Sequence, residues 1–302
     1  MTRLSLDTLA KIRRVVYIRG YLLADGPVLP LKAEIIGNTA FICSLSTFAT
    51  DNPDSSVGIE IFGIGAAEVD MSSIVLHLTT SNNGKDDCVT YDHTKLLAST
   101  MHTPFTVQRT WNELLNSGRI KRLLDIGGRA RVGKSRKGAY PGIDVVVADI
   151  LPGPDVDITA DVHEISRHIN EPFDAFLSVA TFEHLIMPWK AAAEINKVLK
   201  DDAVGMVVTH QTVGIHEIPW DFFRYSDKAW KGIFNLFTGF EILDAGMTIP
   251  AMIIPRVWNK NNDNTEHAVG YINSSVVVRK IAAPQVEWDV PVQSIISDMY
   301  PH

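Results

Sequence analysis

Hydrophobic residues in the first hundred positions fall into short runs separated by turn signals. The runs are rich in Val, Ile, Phe and Thr, and they cover residues 14–23, 32–45, 57–62 and 73–79. Turn sequences such as Asp25-Gly26-Pro27 and Gly37-Asn38 stand between them. Short strands punctuated in this way are typical of an antiparallel sandwich or barrel. We therefore predict a β-rich, β-sandwich-like accessory domain over residues 1–104, with a linker near residues 91–105.

The pattern changes after residue 105, where apolar strands alternate with helical segments. A helix is predicted over residues 106–117, ending at Gly118. The predicted strands are residues 122–126, 143–149, 173–179, 203–210, 240–248 and 272–281, with a helix over residues 190–199. Alternation of this kind predicts an α/β domain over residues 105–302, with a mainly parallel sheet covered on both faces.

Residues 122–149 are the most informative stretch, because a glycine-rich basic loop there joins two strands and the second strand ends in Asp149. Residues 128–135 fit the phosphate-binding P-loop pattern, and residues 128–133 fit a degraded dinucleotide loop with Ala130 in the middle glycine position. Both types of site need a helix directly after the loop. The glycines and the proline of residues 138–142 leave no room for a helix of ordinary length.

A loop that binds S-adenosylmethionine has no phosphate to hold, so it tolerates fewer glycines and a shorter helix. It needs an acidic residue near the end of the first strand, small residues where the ligand crosses, and a carboxylate after the second strand. Asp125, Gly127, Gly128 and Asp149 supply these, and Asp161 follows the next short strand, where it could accept a hydrogen bond from adenine. Taken singly, Asp149 and Asp161 are also ordinary turn residues at strand ends.

Several ordered motifs follow this loop. They are Leu124-Asp-Ile-Gly127, Phe173-Asp174 with Ser178, Glu183-His184-Leu185, Pro188 with Glu194-Ile195 and Val198-Leu199-Lys200, and His216 with Pro219, Asp221, Arg224 and Tyr225. In order and spacing, residues 122–249 resemble class I S-adenosylmethionine-dependent methyltransferases of the type 11-like group. The resemblance implies a Rossmann-like, mostly parallel sheet in which the last strand is inserted antiparallel between neighbours, and S-adenosyl-L-methionine as cofactor.

The resemblance also implies site residues, because loops after parallel strands meet at one crevice. The implied cofactor-binding residues are Asp125, Gly127, Gly128, Arg129, Asp149, Ile150, Asp161, Val162, Ser178 and Thr181. The implied acceptor-binding residues are Glu183, His184, Trp220, Arg224 and Tyr225. His210, His216 and Asp221 are the predicted catalytic residues, because a histidine beside the acceptor can serve as a general base. For each histidine, and for the Glu183-His184 pair, a structural role is the alternative.

The turn departs from the family pattern, which is usually G-x-G-x-G, because Gly127-Gly128 is followed here by Arg129 and Ala130. The Arg129 guanidinium could pair with the methionine carboxylate, or the Arg129 side chain could crowd the ligand. The aromatic residues around Asp221 and Arg224 suit a sugar ring, and they also suit core packing.

Composition and charge limit the kinds of partner and the cellular location that the sequence predicts. The net charge of −7 argues against a nucleic-acid-binding protein, which normally carries a basic face. No apolar run approaches the length of a membrane span, and the first residues lack a signal-peptide core, so a cytoplasmic location is expected. Cys43 and Cys88 do not have the spacing of a zinc site, and we assign no metal ligands from the sequence.

The sequence thus predicts a transferase that methylates an oxygen of a sugar, a glycolipid or another small hydroxylated acceptor, an activity suited to polysaccharide biosynthesis. The N-terminal domain would bind the acceptor or mediate homo-oligomer formation. Two alternatives stay open. One is a binding or assembly protein that keeps the methyltransferase fold without catalysis, which Arg129 and Ala130 favour. The other is an NAD-binding enzyme that uses residues 128–133.

Overall fold

The computed structural model describes residues 2–82, 84–100, 106–129, 136–263, 265 and 268–301. The chain divides into two compact units, Met1–Thr103 and Pro104–His302. Among the helices described, none is long and apolar enough to cross a membrane.

The first unit is built from two antiparallel sheets. Its elements are β1 (Arg3–Ile12), β2 (Val15–Leu23), β3 (Val28–Ile36), β4 (Phe41–Phe48), β5 (Ser56–Gly65), β6 (Val75–Asn82), β7 (Lys85–Asp92) and α1 (His93–Ser99). The sheet orders are β1-β2-β5-β4 and β3-β6-β7. Leu6, Ile18 and Ile61 of the first sheet share one core with Ile35 and Leu76 of the second, which confirms the predicted β-sandwich-like domain.

The sequence prediction was wrong in three details of this unit. The run at residues 32–45 is not one strand, because the turn at Gly37-Asn38 takes the chain from β3 in one sheet to β4 in the other. β1 and β7 were not predicted, since polar residues interrupt their apolar pattern. Part of the predicted linker is α1, whose first turn is capped by the side chain of Asp92.

The second unit is an α/β domain around one sheet. Its elements are α2 (Thr106–Asn116), β8 (Arg122–Ile126), β9 (Asp144–Asp149), β10 (Ile158–Thr159), β11 (Phe173–Val179), α3 (Pro188–Lys197), β12 (Leu199–His210), α4 (Trp230–Ile233), β13 (Phe240–Met252) and β14 (Val269–Lys280). The strand order is β10-β9-β8-β11-β12-β14-β13. β8 to β12 are parallel, and β14 is antiparallel to both of its neighbours. The predicted Rossmann-like sheet with one inserted antiparallel strand is confirmed.

Both faces of this sheet are covered, because successive side chains of a strand point to opposite faces. Leu123 of β8 packs in a cluster with Trp111 of α2, whereas Leu124 packs on the other side with Ile195 of α3 and Trp230 of α4. The continuous apolar strands that the sequence shows are those expected of a sheet buried on both faces.

The connection from β8 to β9 carries the loop fingerprints. Residues 130–135, which complete the P-loop and dinucleotide patterns, lie outside the described residues. The residues after Ser135 form one turn of 3-10 helix at Arg136–Gly138 before β9 begins at Asp144. Among the residues described in this connection, the long helix that either fingerprint requires is therefore missing.

Candidate functional site

A cavity of about 370 Å³ lies beyond the carboxyl ends of β8, β9, β10 and β11. Its volume is within the range of roughly 300–1,000 Å³ that small-molecule sites occupy. The loops after these four strands line it, together with His184, His216, Glu217, Trp220 and Tyr300. The position is the one where open α/β sheets bind their ligands.

Most of the predicted cofactor residues line this cavity. They come from four separate loops, and they are Gly127, Arg129, Asp149, Ile150, Asp161, Val162 and Thr181. The parallel sheet brings them together because each follows the end of a strand. Two carboxylates, Asp149 and Asp161, thus lie on one wall.

Gly127 and Thr181 close the base of the cavity. Gly127 has a φ of 72°, and a Cβ at this position would collide with the Thr181 side chain. The Gly127 N–H donates to the Ala148 carbonyl at 2.8 Å, and the Thr181 hydroxyl donates to the Ile126 carbonyl at 3.3 Å. Only glycine combines this backbone conformation with so close an approach.

Arg129 lies beside Asp149. Asp149 Oδ1 accepts from the Leu151 N–H at 2.9 Å, and Arg129 Nε is 3.5 Å from the same oxygen. The Arg129 N–H is 3.4 Å from Asp149 Oδ2, and the stem of the arginine packs against Gly153. The arginine therefore approaches the carboxylate that the sequence assigned to the ribose. Its pairing with a methionine carboxylate stays a prediction.

Asp161 is held by a histidine that the sequence analysis missed. Its Oδ1 accepts from the backbone N–H of His163 at 2.9 Å and from His163 Nδ1 at 2.6 Å. His163 Nε2 in turn accepts from the Met187 N–H at 3.3 Å. Burial raises the pKa of Asp161, but the hydrogen bonds from His163 outweigh burial and lower it. The carboxylate is thus kept ionised on the cavity wall.

Three predicted cofactor residues support the loop from behind and do not line the cavity. Asp125 is fully buried, and its Oδ1 is 2.6 Å from Nη1 of Arg136, which does line the cavity. Burial raises the pKa of Asp125, and the nearby guanidinium opposes this. Gly128 packs against the Asp125 carboxylate, and Ser178 is buried within β11. Their placement corrects the prediction that they contact the cofactor.

His184 and His216 also line the cavity. His184 Nδ1 donates to the Trp220 carbonyl, and His216 Nδ1 lies 3.0 Å from the Gly214 carbonyl. Because a carbonyl only accepts hydrogen bonds, each Nδ1 carries a proton, and Nε2 is the ring nitrogen left to bind another group. Burial lowers the pKa of His184, which favours the neutral ring. The two rings meet edge to face, with their centroids 4.9 Å apart.

Asp221 and Arg224 form a brace behind His216. The carboxylate is bidentate to the guanidinium at 2.6 and 2.8 Å, and its Oδ2 also accepts from the His216 N–H at 2.8 Å. The Arg224 hydrogen bonds hold the pKa of Asp221 at about 2. Arg224 also donates to the Val213 and Gly214 carbonyls. The placement corrects both assignments, because Asp221 orients His216 and Arg224 fastens the loop, while neither residue lines the cavity.

Glu183 and His210 lie deeper. Glu183 is fully buried, and its Oε2 accepts from the Thr209 hydroxyl. His210 Nε2 is 3.1 Å from Glu183 Oε1. Burial raises the pKa of Glu183, but the contacts with His210 and Thr209 outweigh it and lower the pKa. The Glu183 carbonyl accepts from the Phe222 N–H at 2.8 Å, so the backbone of this residue is tied to the segment after Asp221.

Tyr225 is a core residue, which corrects its assignment to the acceptor. Its ring stacks on Trp230 with the centroids 4.8 Å apart, and its hydroxyl donates to the Phe182 carbonyl at 2.9 Å. Burial raises the pKa of the Tyr225 hydroxyl. Of the aromatic residues in this segment, Trp220 lines the cavity.

Four cavity residues with polar side chains were not predicted from the sequence. They are Arg136, His163, Glu217 and Tyr300. The spacing of His163 two residues after Asp161 could have indicated a local side-chain contact. Tyr300 carried no sequence signal, because it lies far along the chain from the residues that it contacts. Its ring packs against those of Trp220 and His184, at centroid distances of 5.8 and 5.9 Å.

Comparison with known proteins gives likenesses among solved structures only. No protein-family model matches the chain, and no curated protein sequence does. The YcgJ protein of Bacillus subtilis is similar over 58% of this chain and 99% of its own, at 12% identity and a TM-score of 0.40. An O-methyltransferase from a polyketide synthase multienzyme of Brevibacillus brevis, in complex with S-adenosyl-L-homocysteine, is similar over 59% of this chain and 76% of its own, at 12% identity and a TM-score of 0.39. The [4+2]-cyclase SpnF covers 57% of this chain and 81% of its own, at 15% identity and a TM-score of 0.40. Similarity at this level does not bear on activity, which has to be argued from the residues of the site.

Proposed function

We propose that this protein is an S-adenosylmethionine-dependent methyltransferase that acts on a hydroxyl oxygen of a small acceptor, such as a sugar or a glycolipid. The observation that carries the proposal is that Asp149 and Asp161, at the ends of β9 and β10, line the same cavity as His184 and His216. The first pair suits the nucleoside part of the cofactor. The second pair suits an acceptor that must lose a proton.

The residues present fit the cofactor. Asp149 would accept hydrogen bonds from the ribose hydroxyls, because the long 3.5 Å approach of Arg129 Nε leaves its oxygens with capacity to accept. Ile150 and Val162 offer apolar surface for the adenine ring, and the ionised Asp161 can accept from the adenine amino group. The bound cofactor supplies a methyl group on a sulfonium, which is transferred by in-line displacement.

The protein's part in such a reaction is to align the acceptor and to manage its proton. Holding two reactants in line can contribute about 7–11 kcal/mol. Of the two histidines that line the cavity, His216 has its ring Nδ1 directed at the Gly214 carbonyl, and its backbone N–H is held by the Asp221 carboxylate. These contacts leave Nε2 as the ring nitrogen that can take the acceptor's proton. We place the acceptor's departing proton at this group of histidines.

Isothermal calorimetry with S-adenosyl-L-homocysteine, ATP and NAD tests the cofactor assignment directly. We expect saturable binding of S-adenosyl-L-homocysteine alone. Binding of NAD alone would replace the proposal with the dinucleotide interpretation. Absence of any binding would favour a non-catalytic binding or assembly protein, for which the approach of Arg129 to Asp149 is the specific structural argument.

The N-terminal unit offers a surface for an acceptor or for a second copy of the chain. On the sheet β1-β2-β5-β4, Ile42 lies opposite Ile64, and they are 79% and 47% exposed. Phe62 lies two residues before Ile64 and is 43% exposed. We propose that this apolar face binds acceptor or mediates self-association. Light scattering of the wild type and of Ile42→Ser tests self-association. If both proteins have the mass of a dimer, this face is excluded as the dimer contact.

A further inference from the structure

Three side chains behind the acceptor side of the cavity converge on one small volume. Glu183 follows β11, His210 ends β12, and His216 lies in the loop after β12. Each offers one ligand atom, and the three atoms lie within 4.8 Å of one another. No metal ligands were predicted from the sequence, in which these three residues lie in separate segments.

One oxygen of the buried carboxylate in this cluster lacks a well-directed hydrogen bond. Glu183 Oε1 is buried, and among the described residues none donates to it a hydrogen bond of good geometry. His210 Nε2 lies 3.1 Å from this oxygen and makes an electrostatic contact that is not directed as a hydrogen bond. His210 Nδ1 is a second buried atom for which the described residues supply no partner. His184 Nε2 stands 3.9 Å from Glu183 Oε1. A buried acceptor without a donor costs about 1–3 kcal/mol, and more when it is charged.

We propose that Glu183, His210 and His216 bind a first-row divalent transition-metal ion of the Zn²⁺, Fe²⁺ or Co²⁺ type. A cation among these atoms satisfies the carboxylate oxygen and two imidazole lone pairs together. Two imidazoles with one carboxylate select such ions over Mg²⁺ and Ca²⁺, which prefer oxygen ligands. Metal bonds of about 2.0–2.2 Å require the ligand atoms to approach to roughly 3.0–3.5 Å, so small side-chain rotations from the present positions complete the site.

A second group of residues shares His216, but it is a poorer site. His184, His216 and Asp221 also lie within 4.8 Å of one another. Both oxygens of Asp221 are already occupied by the bidentate pair with Arg224, and one of them by the His216 N–H as well. A metal ion there would have to displace a guanidinium. Glu183 Oε1 requires no such exchange, and this difference selects the first group.

Three protein ligands leave coordination positions open, and His216 lines the cavity, so an acceptor oxygen can reach such a position. A coordinated hydroxyl has a lowered pKa. This role rests on the proposed methyltransferase function and deepens it: with the ion bound, the Nε2 lone pair of His216 holds the metal in place of accepting the acceptor's proton, and the site selects acceptors whose hydroxyl oxygen can act as a metal ligand. Binding of the ion itself does not depend on that function.

The test uses the full-length chain after treatment with a chelator, in the absence of cofactor. Co²⁺ is titrated in and followed by its visible absorption, and Zn²⁺ is then added as a competitor. We expect a single saturable transition that Zn²⁺ reverses. Glu183→Gln, His210→Ala and His216→Ala should each weaken Co²⁺ binding by more than about 100-fold, because loss even of a residue that only orients a ligand costs 10–100-fold. His168→Ala, at an exposed histidine of the same unit, is the matched control and should bind as the wild type does.

His184→Ala separates the two groups, since His184 belongs only to the second. Retained Co²⁺ binding in His184→Ala supports the proposed site. Loss in His184→Ala with retention in His210→Ala overturns it in favour of the second group. Absence of Co²⁺ binding by the wild type also overturns it. Circular dichroism identifies any variant that fails to fold. His216→Ala is the variant expected to disturb folding least, because His216 lies on the cavity surface. Calorimetry with S-adenosyl-L-homocysteine is run in parallel, so that failure of the cofactor assignment is distinguished from failure of the metal site.

Discussion

Replacing Asp149 by asparagine is the sharpest perturbation of the proposed cofactor site. The amide is isosteric, and its oxygen can still accept from the Leu151 N–H, which now donates to Asp149 Oδ1 at 2.9 Å. The lost negative charge removes the ion pair with Arg129, a partly exposed contact at 3.5 Å. Such pairs contribute about 0–1 kcal/mol, so the free energy of unfolding should fall by less than that.

The effect on binding should be larger than the effect on stability. Hydrogen bonds to a charged group contribute about 1.5–3 kcal/mol, and a ribose bound at Asp149 would lose this difference. The dissociation constant for S-adenosyl-L-homocysteine should therefore rise by about 10- to 150-fold, measured by calorimetry. Asp144→Asn is the matched control, because Asp144 is an exposed carboxylate at the opposite end of the same strand. Unchanged affinity in folded Asp149→Asn, or an equal loss in Asp144→Asn, would refute the ribose assignment.

Two further predictions concern the acceptor side. His216→Ala should lower turnover by about 10²–10⁴-fold on an identified acceptor without changing the affinity for S-adenosyl-L-homocysteine, and retained turnover would remove His216 from proton handling. Asp221→Asn should alter stability at acid pH. The pKa of Asp221 is lowered in the folded protein from 3.8 to about 2, so its contribution to folding is present above pH 3.8 and is lost as the pH falls towards 2. Urea unfolding across this window should show a weaker acid dependence in Asp221→Asn than in the wild type, and identical profiles would contradict the role of the Asp221–Arg224 pair.

The fold of the second unit was readable in the sequence because its signals are local. Phe173–Val179 was predicted with its correct ends, since a short apolar run between turn residues can only be buried as a strand in this context. The antiparallel insertion of β14 came from the resemblance of ordered motifs and was confirmed. In the first unit the same reasoning missed β1 and β7, because their pairing with other strands depends on hydrogen bonds between distant segments.

The sequence by itself determined which residues end the parallel strands, and therefore that Gly127, Asp149, Asp161 and Thr181 meet at one crevice. Strand direction forces this result without any knowledge of side-chain packing. Only the tertiary structure decided what each neighbouring side chain does there. The structure shows that Tyr225 is a core residue. The sequence could not show this, because a run of aromatic residues has the same pattern whether it packs in the core or lines a site.

Tertiary structure alone also brings together the metal ligands that we infer and places Tyr300 at the cavity. Glu183, His210 and His216 are separated by up to 33 residues along the chain, taking 216 minus 183, and Tyr300 lies near the end of the chain. No periodicity or spacing connects such residues. Glu183, His210 and His216 come together only when β11 pairs with β12 and the Asp221–Arg224 contact fastens the following loop. Polar contacts depend on short distances and defined angles, which the folded structure alone provides.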